Sequence, residues 1–516
     1  MSKEIIVVGA GPGGLASAIL LAASGQRVQI FERLPVIGGR TSTLEAEGYR
    51  FDLGPTFFLY PQVLREIFAA AGARLEEEVP MVRLDPQYRL IFGGGGELHC
   101  TSDTEAMVRQ IAAISPQDAP RFRDFLRENR TKLKAMMPCL QTPFLGWGDL
   151  LNLRMLKMLP MIRPHQSLDQ YLGRFFQDPR IRLAFSFQSK YLGMSPFRCP
   201  SLFSILSFLE YEYGVFHPLG GCGSVTQGMA RLAERLGVRI HLGEPVEEVL
   251  FQGRRATGIR TASGTHHADA LVLNADFARA ISKLVPDSKR SRWTDKRLAR
   301  KKYSCSTFMM YLGVEGTFQQ PHHNIFIAED YARNLDDIEN AHRLSPDPSF
   351  YVENPTATDP SLAPAGHSSL YVLLPVSHQH PNIDWRRETP AFRELALRRI
   401  AAAGFDLDPR RIRFERVITP DDWENKYAIY KGATFNLAHS LDQMLHLRPH
   451  NRFEDFDGMY LVGGGTHPGS GLPVIFESAR ISSRLLLEDL GQVPAWSNSP
   501  HPAPQEGIPS PAMIHA

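Results

Sequence analysis

Gly9, Gly11 and Gly14 stand at the spacing G-x-G-x-x-G inside the run Gly9-Ala10-Gly11-Pro12-Gly13-Gly14. Glu32 follows about twenty residues on, where dinucleotide-binding folds hold a ribose hydroxyl. The first glycine allows a tight turn, the second lets a pyrophosphate approach the backbone, and the third packs helix on strand. A second glycine-rich loop, residues 463–471, is open enough for backbone to approach a flat ring, with Pro473 and Val474 just beyond it. No Ser/His/Asp arrangement, paired carboxylates or cysteine nucleophile stands out. The chemistry is therefore expected from a bound cofactor, with the protein supplying alignment and dryness.

The elements around these residues read as a nucleotide fold. Residues 4–8 form a β-branched run that breaks at the glycines, and a helix follows with Leu15, Ile19, Ala22 and Ala23 on its apolar face. After Gly25, residues 27–31 read as a second parallel strand. The fold resumes near Ser224, where Ser224 and Gln227 suggest a capping box. Strands at 238–242, 245–251, 256–261 and 268–276 follow. It resumes again at residues 460–462, a strand leading to a helix that starts at Ile475 or Glu477 and runs to Leu490. The positive N-terminal end of that helix would stabilise an anionic ring.

Between these pieces the pattern changes to a mixed sheet with helices. Residues 88–92 and 98–100 make a hairpin about Gly93 to Gly96, Ser102 and Glu105 suggest a capping box for a helix over 104–114, and 306–314 and 369–374 read as strands. Helices are expected at 202–213 and 390–403. The fold class is α/β: a discontinuous Rossmann-type domain (1–80, 215–286 and 445–490) with an interleaved α+β substrate domain (81–214 and 287–444). A proline-rich, disordered tail is expected over 491–516.

With 516 residues and 43% hydrophobic content, the chain can bury a sizeable core. Its net charge of +2 offers no polycationic face for nucleic acid. The five cysteines at 100, 139, 199, 222 and 305 have neither C-x-x-C nor metal-ligand spacing, which suits a reducing compartment. Adjacent His322 and His323 point differently on most backbones, and His378 and His380 have no third ligand nearby in sequence, so no metal is expected. No apolar run reaches the roughly 18 to 20 residues of a membrane-spanning helix. The stretch 136–163, with Lys134 just before it, nevertheless interleaves Met and Leu with Phe144, Trp147 and the cations Arg154, Lys157 and Arg163, as helices lying in a membrane interface do. Asp149 within it is a candidate for proton handling; the other reading is a helix cap.

Further residues carry a resemblance. Glu32-Arg33 leads into Gly38-Gly39-Arg40 and then Gly48-Tyr49-Arg50-Phe51-Asp52-Leu53-Gly54-Pro55-Thr56. This resembles the FAD-containing amine oxidase and carotenoid desaturase superfamily. The resemblance implies bound FAD, with Arg33 and Arg40 on the pyrophosphate, Gly38 and Gly39 admitting the isoalloxazine, and the Val246 backbone at the adenine. Residues 214–221, Asn274-Ala275-Asp276, residues 448–452 and residues 460–473 extend it to the bacterial-type phytoene desaturases over about residues 3–490.

The expected set of cofactor contacts is Gly9, Gly11, Gly13, Gly14, Glu32, Arg33, Gly38, Gly39, Arg40, Gly54, Pro55, Thr56, Val246, Gly464, Gly465, Gly471, Pro473 and Val474. By the same resemblance the substrate is a long apolar polyene, phytoene or its C30 counterpart, reached at the inner face of the cell membrane by a peripheral, cytoplasmic enzyme. Gly471-Leu472-Pro473-Val474-Ile475-Phe476 is bulkier than the family's G-I-P-G-V, which bears on substrate and step number. No second glycine fingerprint opens another βαβ unit for a nicotinamide cofactor, so the substrate itself is expected to deliver the electrons, with oxygen or a quinone removing them. The other readings are a carotenoid end-group oxidase or isomerase, a soluble flavin amine oxidase, and a non-catalytic flavin-binding carrier.

Overall fold

The computed structural model describes residues 2–150, 161, 163, 165–494 and 496. Its first sheet is parallel, with strands in the order Arg239–His241, Arg27–Phe31, Glu4–Val8, Ala270–Leu273 and Met459–Leu461. The central strand is covered on both faces, and alternate side chains serve different layers. Ile5 and Val7 pack under helices Pro12–Ala23, Gly223–Arg235 and Leu472–Asp489. Ile6 and Val8 face the group that holds Phe277, Ile281 and Ile259. Three strands, Glu248–Gln252, Arg255–Thr261 and Gly264–His267, form an antiparallel meander on that second side.

The second large sheet has seven strands, ordered Ile412–Ile418, Ser306–Glu315, His367–Val376, Phe350–Glu353, His323–Ile327, Tyr88–Phe92 and Glu97–Cys100. Pairing is antiparallel except between His323–Ile327 and Tyr88–Phe92. Along Ser306–Glu315, Phe308, Met310, Leu312 and Val314 pack toward helix Trp385–Ala402. Met309 and Tyr311 turn the other way, onto Tyr49 and Phe51. An aromatic core of helices, including Arg121–Leu140 and Ser204–Tyr213, packs on the Tyr88–Phe92 end. A small sheet of Phe58–Leu59, Val215–Pro218 and Met81–Arg83 lies across the expected boundary at residue 80.

Several local expectations are corrected. Helix Thr104–Ile114 is capped by Asp103, which accepts the Ala106 N–H at 2.9 Å, while Ser102 instead takes a hydrogen bond from Arg83 at 2.7 Å. Ser224 lies inside its helix and bonds back to the Gly221 carbonyl; Asp52 accepts the Cys222 and Gly223 N–H groups in place of a local cap. Helix Trp385–Ala402 begins five residues before Pro390, with Asp384 capping it. The last helix begins at Leu472 rather than Ile475, because Pro473 sits in the first turn, where a missing N–H is harmless.

The first residues past Leu490 dock on the body: Gln26 donates to Gln492 at 3.0 Å, and Trp496 meets Ser24. Of the stretch read as interfacial, Met136, Cys139 and Phe144 are buried in the core, whereas Trp147 is 62% exposed. Residues 151–160, 162 and 164 of that stretch lie outside the described residues, as do 495 and 497–516 of the tail. Among the described residues, no helix is long and apolar enough to cross a membrane.

Candidate functional site

The glycine turn after the first strand is shaped by close backbone approach. Gly9 has φ +101°, a conformation open to glycine, and its N–H bonds the Phe31 carbonyl. A Cβ on Gly14 would overlap the Gly9 carbonyl oxygen, and one on Gly13 would come 2.6 Å from Val462. Helix Pro12–Ala23 starts at Gly11 with no side-chain cap, so its first N–H groups face outward, ready for an anion. Glu32 is buried and accepts the Ala10 and Leu34 N–H groups, each at 2.8 Å. Each of its oxygens keeps a second lone pair for a ribose hydroxyl.

Gly38 and Gly39 lie against this turn: the Gly38 N–H bonds the Ala10 carbonyl at 2.9 Å, and a Cβ on Gly39 would stand 3.7 Å from the Gly11 Cα. Arg40 reaches the Thr434 carbonyl and faces Asp276; burial pulls the guanidinium down, against the Asp276 charge. Burial pushes the Asp276 carboxyl up, against Arg40. The Asn436 amide, oriented to satisfy both, accepts from Arg40 at 3.2 Å and donates to Asp276 at 2.6 Å. Arg33 is exposed and bonds the Lys426 carbonyl, so it stands at the rim rather than beside the glycines. Val246 is half-buried and joins the group around Phe31, whose ring stacks on His241 at 4.5 Å.

The last loop closes the same cleft. A Cβ on Gly464 would press on Asn436 and one on Gly465 on Phe277. Gly471 caps helix Leu472–Asp489 without a side-chain bond, which leaves that N-terminus bare beside Pro473 and Val474. Gly54 packs on the Arg40 backbone, and its carbonyl accepts from Tyr371 at 2.7 Å. Beyond Pro55, Thr56 bonds the Tyr351 hydroxyl at 3.0 Å. Phe57 stacks on His323 at 4.0 Å and also meets Tyr88, Tyr191 and Tyr351. Segment 54–57 thus joins the glycine cleft to an aromatic interior.

Three residues of this site are not among the expected contacts, although they lie in the motifs that carry the resemblance. Asn274, at the end of the fourth strand of the parallel sheet, donates to the Gly9 carbonyl at 3.2 Å and neighbours Gly11, Gly13 and Gly463. Asp276 caps helix Phe277–Leu284 while facing Arg40. Arg448, fully buried, donates to the carbonyls of Leu437, Ala438, Gln443, Gly464 and Thr466 and so fixes the last glycine loop. An acidic or amide residue directly after a buried strand was the available signal for the first two.

Asp149 lies apart from this cleft in the chain: its carboxylate accepts the Leu145 and Gly146 N–H groups at 2.8 and 2.9 Å, the geometry of a cap. The His322 and His323 rings meet edge to face, their centroids 4.5 Å apart at 75°. His322 also meets Glu353 and His217, and His342 stands against both His378 and His380, so each pair has a third neighbour that the sequence did not suggest. The five cysteines are free and buried.

A turn with backbone N–H groups bared to an anion, glycines where any Cβ would collide, and a ribose-side carboxylate fit a dinucleotide. Comparison with known proteins identifies which. Residues 12–487 match the family described as Flavin containing amine oxidoreductase. A 4,4'-diapophytoene desaturase (4,4'-diapolycopene-forming) from Methylomonas sp is 41% identical over 94% of this chain and 96% of its own length. A zeta-carotene-forming phytoene desaturase from Myxococcus xanthus is 39% identical over 94% of each chain. Among solved structures, an oxidoreductase from Methanosarcina mazei superposes with a TM-score of 0.61 at 19% identity, covering 94% of this chain and all of its own, which speaks for the fold alone. The chain belongs to the flavin containing amine oxidoreductase family, among the phytoene and diapophytoene desaturases, and its cofactor is FAD.

Proposed function

We propose that the protein is an FAD-dependent oxidoreductase that desaturates a colourless carotenoid precursor, phytoene or C30 diapophytoene, to a conjugated polyene such as neurosporene or lycopene. The observation that carries this reading is the reach of the likeness. Identities of 41% and 39% extend over 94% of the chain, so they include the substrate half as well as the dinucleotide half.

When bound, FAD supplies acceptance of a hydride from an allylic or bis-allylic C–H, while a proton leaves the neighbouring carbon. The chain's own residues do the positioning. Gly9, Gly11, Gly13 and Gly14 bring the bare N-terminus of helix Pro12–Ala23 to the pyrophosphate, and Glu32 holds the ribose. Arg40 would contact the pyrophosphate with Arg33 at the rim, Gly38 and Gly39 would admit the isoalloxazine, and the Val246 backbone would hold the adenine side. Gly54, Pro55, Thr56, Gly464, Gly465, Gly471, Pro473 and Val474 would hold the ring. The N-terminus of helix Leu472–Asp489, with a partial charge of about +0.5, favours negative charge in the ring. Phe57, Tyr191 and Tyr351 offer an apolar, stackable wall that excludes water.

The same reading divides the chain near residues 80, 214, 286 and 444, and brings the polyene from the inner face of the cell membrane to a peripherally bound, cytoplasmic enzyme. Exposed Trp147, at the mouth of the Met- and Leu-rich stretch, supports that contact. Oxygen or a membrane quinone takes the electrons away. Coexpression with enzymes that supply phytoene or diapophytoene tests the reading: new long-wavelength absorption is expected. An oxygenated end group would mark a terminal oxidase, a change of double-bond geometry alone an isomerase, and unchanged precursor with amine turnover an amine oxidase.

A further inference from the structure

Three strands bring two imidazoles and a carboxyl to one buried point outside the glycine cleft. His217 lies in Val215–Pro218, His322 directly precedes His323–Ile327, and Glu353 ends Phe350–Glu353. They are 1%, 4% and 1% exposed. One ligand atom from each lies within 4.8 Å of the others.

The local hydrogen bonds do not close. His322 is satisfied, with Thr358 at 2.9 Å on Nδ1 and Glu353 at 3.3 Å on Nε2. His217 is not: among the described residues neither ring nitrogen has a hydrogen-bond partner, and a carboxylate oxygen of Asp359 stands 3.6 Å from Nε2. An imidazole always presents a donor or a lone pair at each nitrogen, so burying both unmatched is costly.

Charge does not close either. Asp52 and Glu353 act electrostatically on His217, and Asp359 lies beside it. Among the described residues, no lysine or arginine pairs with any of these three carboxyls. Buried carboxyls ordinarily have a cation, and here none is supplied by the described residues.

We propose that His217, His322 and Glu353 bind one divalent transition-metal ion of the zinc class. Two imidazoles and one carboxylate suit such an ion better than calcium or magnesium, which take oxygen ligands. Thr358 on the far nitrogen of His322 is the outer hydrogen bond that orients a metal-bound imidazole. Asp359 stands where it accepts from a metal-bound water or completes the coordination. The ion pins Val215–Pro218, which pairs with Phe58–Leu59, to the seven-stranded sheet. It thereby holds Phe57 and Thr56 against His323 and Tyr351, two positions from Glu353 on the same strand face. Its role is to position that segment.

The test uses the FAD-loaded full-length protein, supplied with Zn2+ and desalted, with elemental analysis as the readout and no substrate present. About one zinc per chain is expected, falling at least about tenfold in His217→Ala and in Glu353→Gln but not in the surface control His99→Ala. Replacement by Co2+ is expected to give visible ligand-field absorption in the wild type. A protein that keeps its flavin yet takes up neither Zn2+ nor Co2+ overturns the proposal and leaves a proton shared by His322 and Glu353 in its place. Equal metal in the wild type and both variants overturns it as well. Because neither readout depends on turnover, failure here is distinct from failure of the desaturase reading.

Discussion

The dinucleotide half and the substrate half use opposite materials. In the first, the working atoms are backbone: bare helix N-termini at Gly11 and Gly471, and glycines whose missing Cβ atoms leave room for a ligand. In the second, the work falls to buried side chains that meet from distant parts of the chain, such as Glu210 with Tyr88 and Gln188, or His322 with Glu353 and His217. A site made of backbone tolerates almost no added atom; a site made of buried polar side chains is sensitive to charge instead.

The largest effect is expected where backbone crowds backbone. Gly14→Val would drive its side chain into the Gly9 carbonyl, and flavin content of the purified protein, read by absorbance, should fall at least about tenfold. Next comes Arg448→Met. It removes the guanidinium from five buried carbonyls, of which Ala438 keeps a bond from Gln443, and loosens the last glycine loop, so denaturant unfolding should show a loss on the order of 3 kcal/mol or more, with weakened flavin retention.

Glu210 sharpens the comparison from the other side. It is fully buried; Oε2 accepts from Tyr88 and Gln188, each at 3.0 Å, while Oε1 has no hydrogen-bond partner among the described residues. Burial pushes its carboxyl from 4.5 up to about 7, against those hydrogen bonds. Between these values the unfolded chain releases a proton that the folded chain keeps. Glu210 therefore contributes stability that is present below about 4.5 and is lost as pH rises toward 7. Glu210→Gln should flatten the stability profile over that window by roughly 3 kcal/mol, measured by denaturation at a series of pH values. The smallest effect is expected at Asp149: Asp149→Ala removes a cap worth about 1 kcal/mol and should leave turnover within about twofold, checked by melting and by rate.

What could be read in advance follows the same division. The glycine turn, the parallel strands and Glu32 are contiguous or nearly so, and their physical demands appear at fixed short spacings. The hairpin at Tyr88–Phe92 and Glu97–Cys100 was visible for the same reason, since period-two burial is local, and Ser306–Glu315 was visible as a continuous run buried at every position but its last. Asn274 and Asp276 needed the knowledge that their strand lies beside Glu4–Val8. The cap on Gly223–Arg235 comes from Asp52, far upstream, so the local pattern at Ser224 and Gln227 suggested a box that is not used. His217, His322 and Glu353 have no spacing that announces them; strand pairing sets His322 near Glu353, and a second sheet packed on the first brings His217 to them.

The most direct test of the central claim mixes FAD-loaded protein with phytoene or diapophytoene in liposomes under anaerobic conditions, following the visible spectrum through one turnover. Loss of the oxidised flavin absorption in step with growth of a conjugated polyene band is the predicted result. Polyene formation with the flavin unchanged, or a flavin-loaded protein that leaves both precursors colourless, would contradict it.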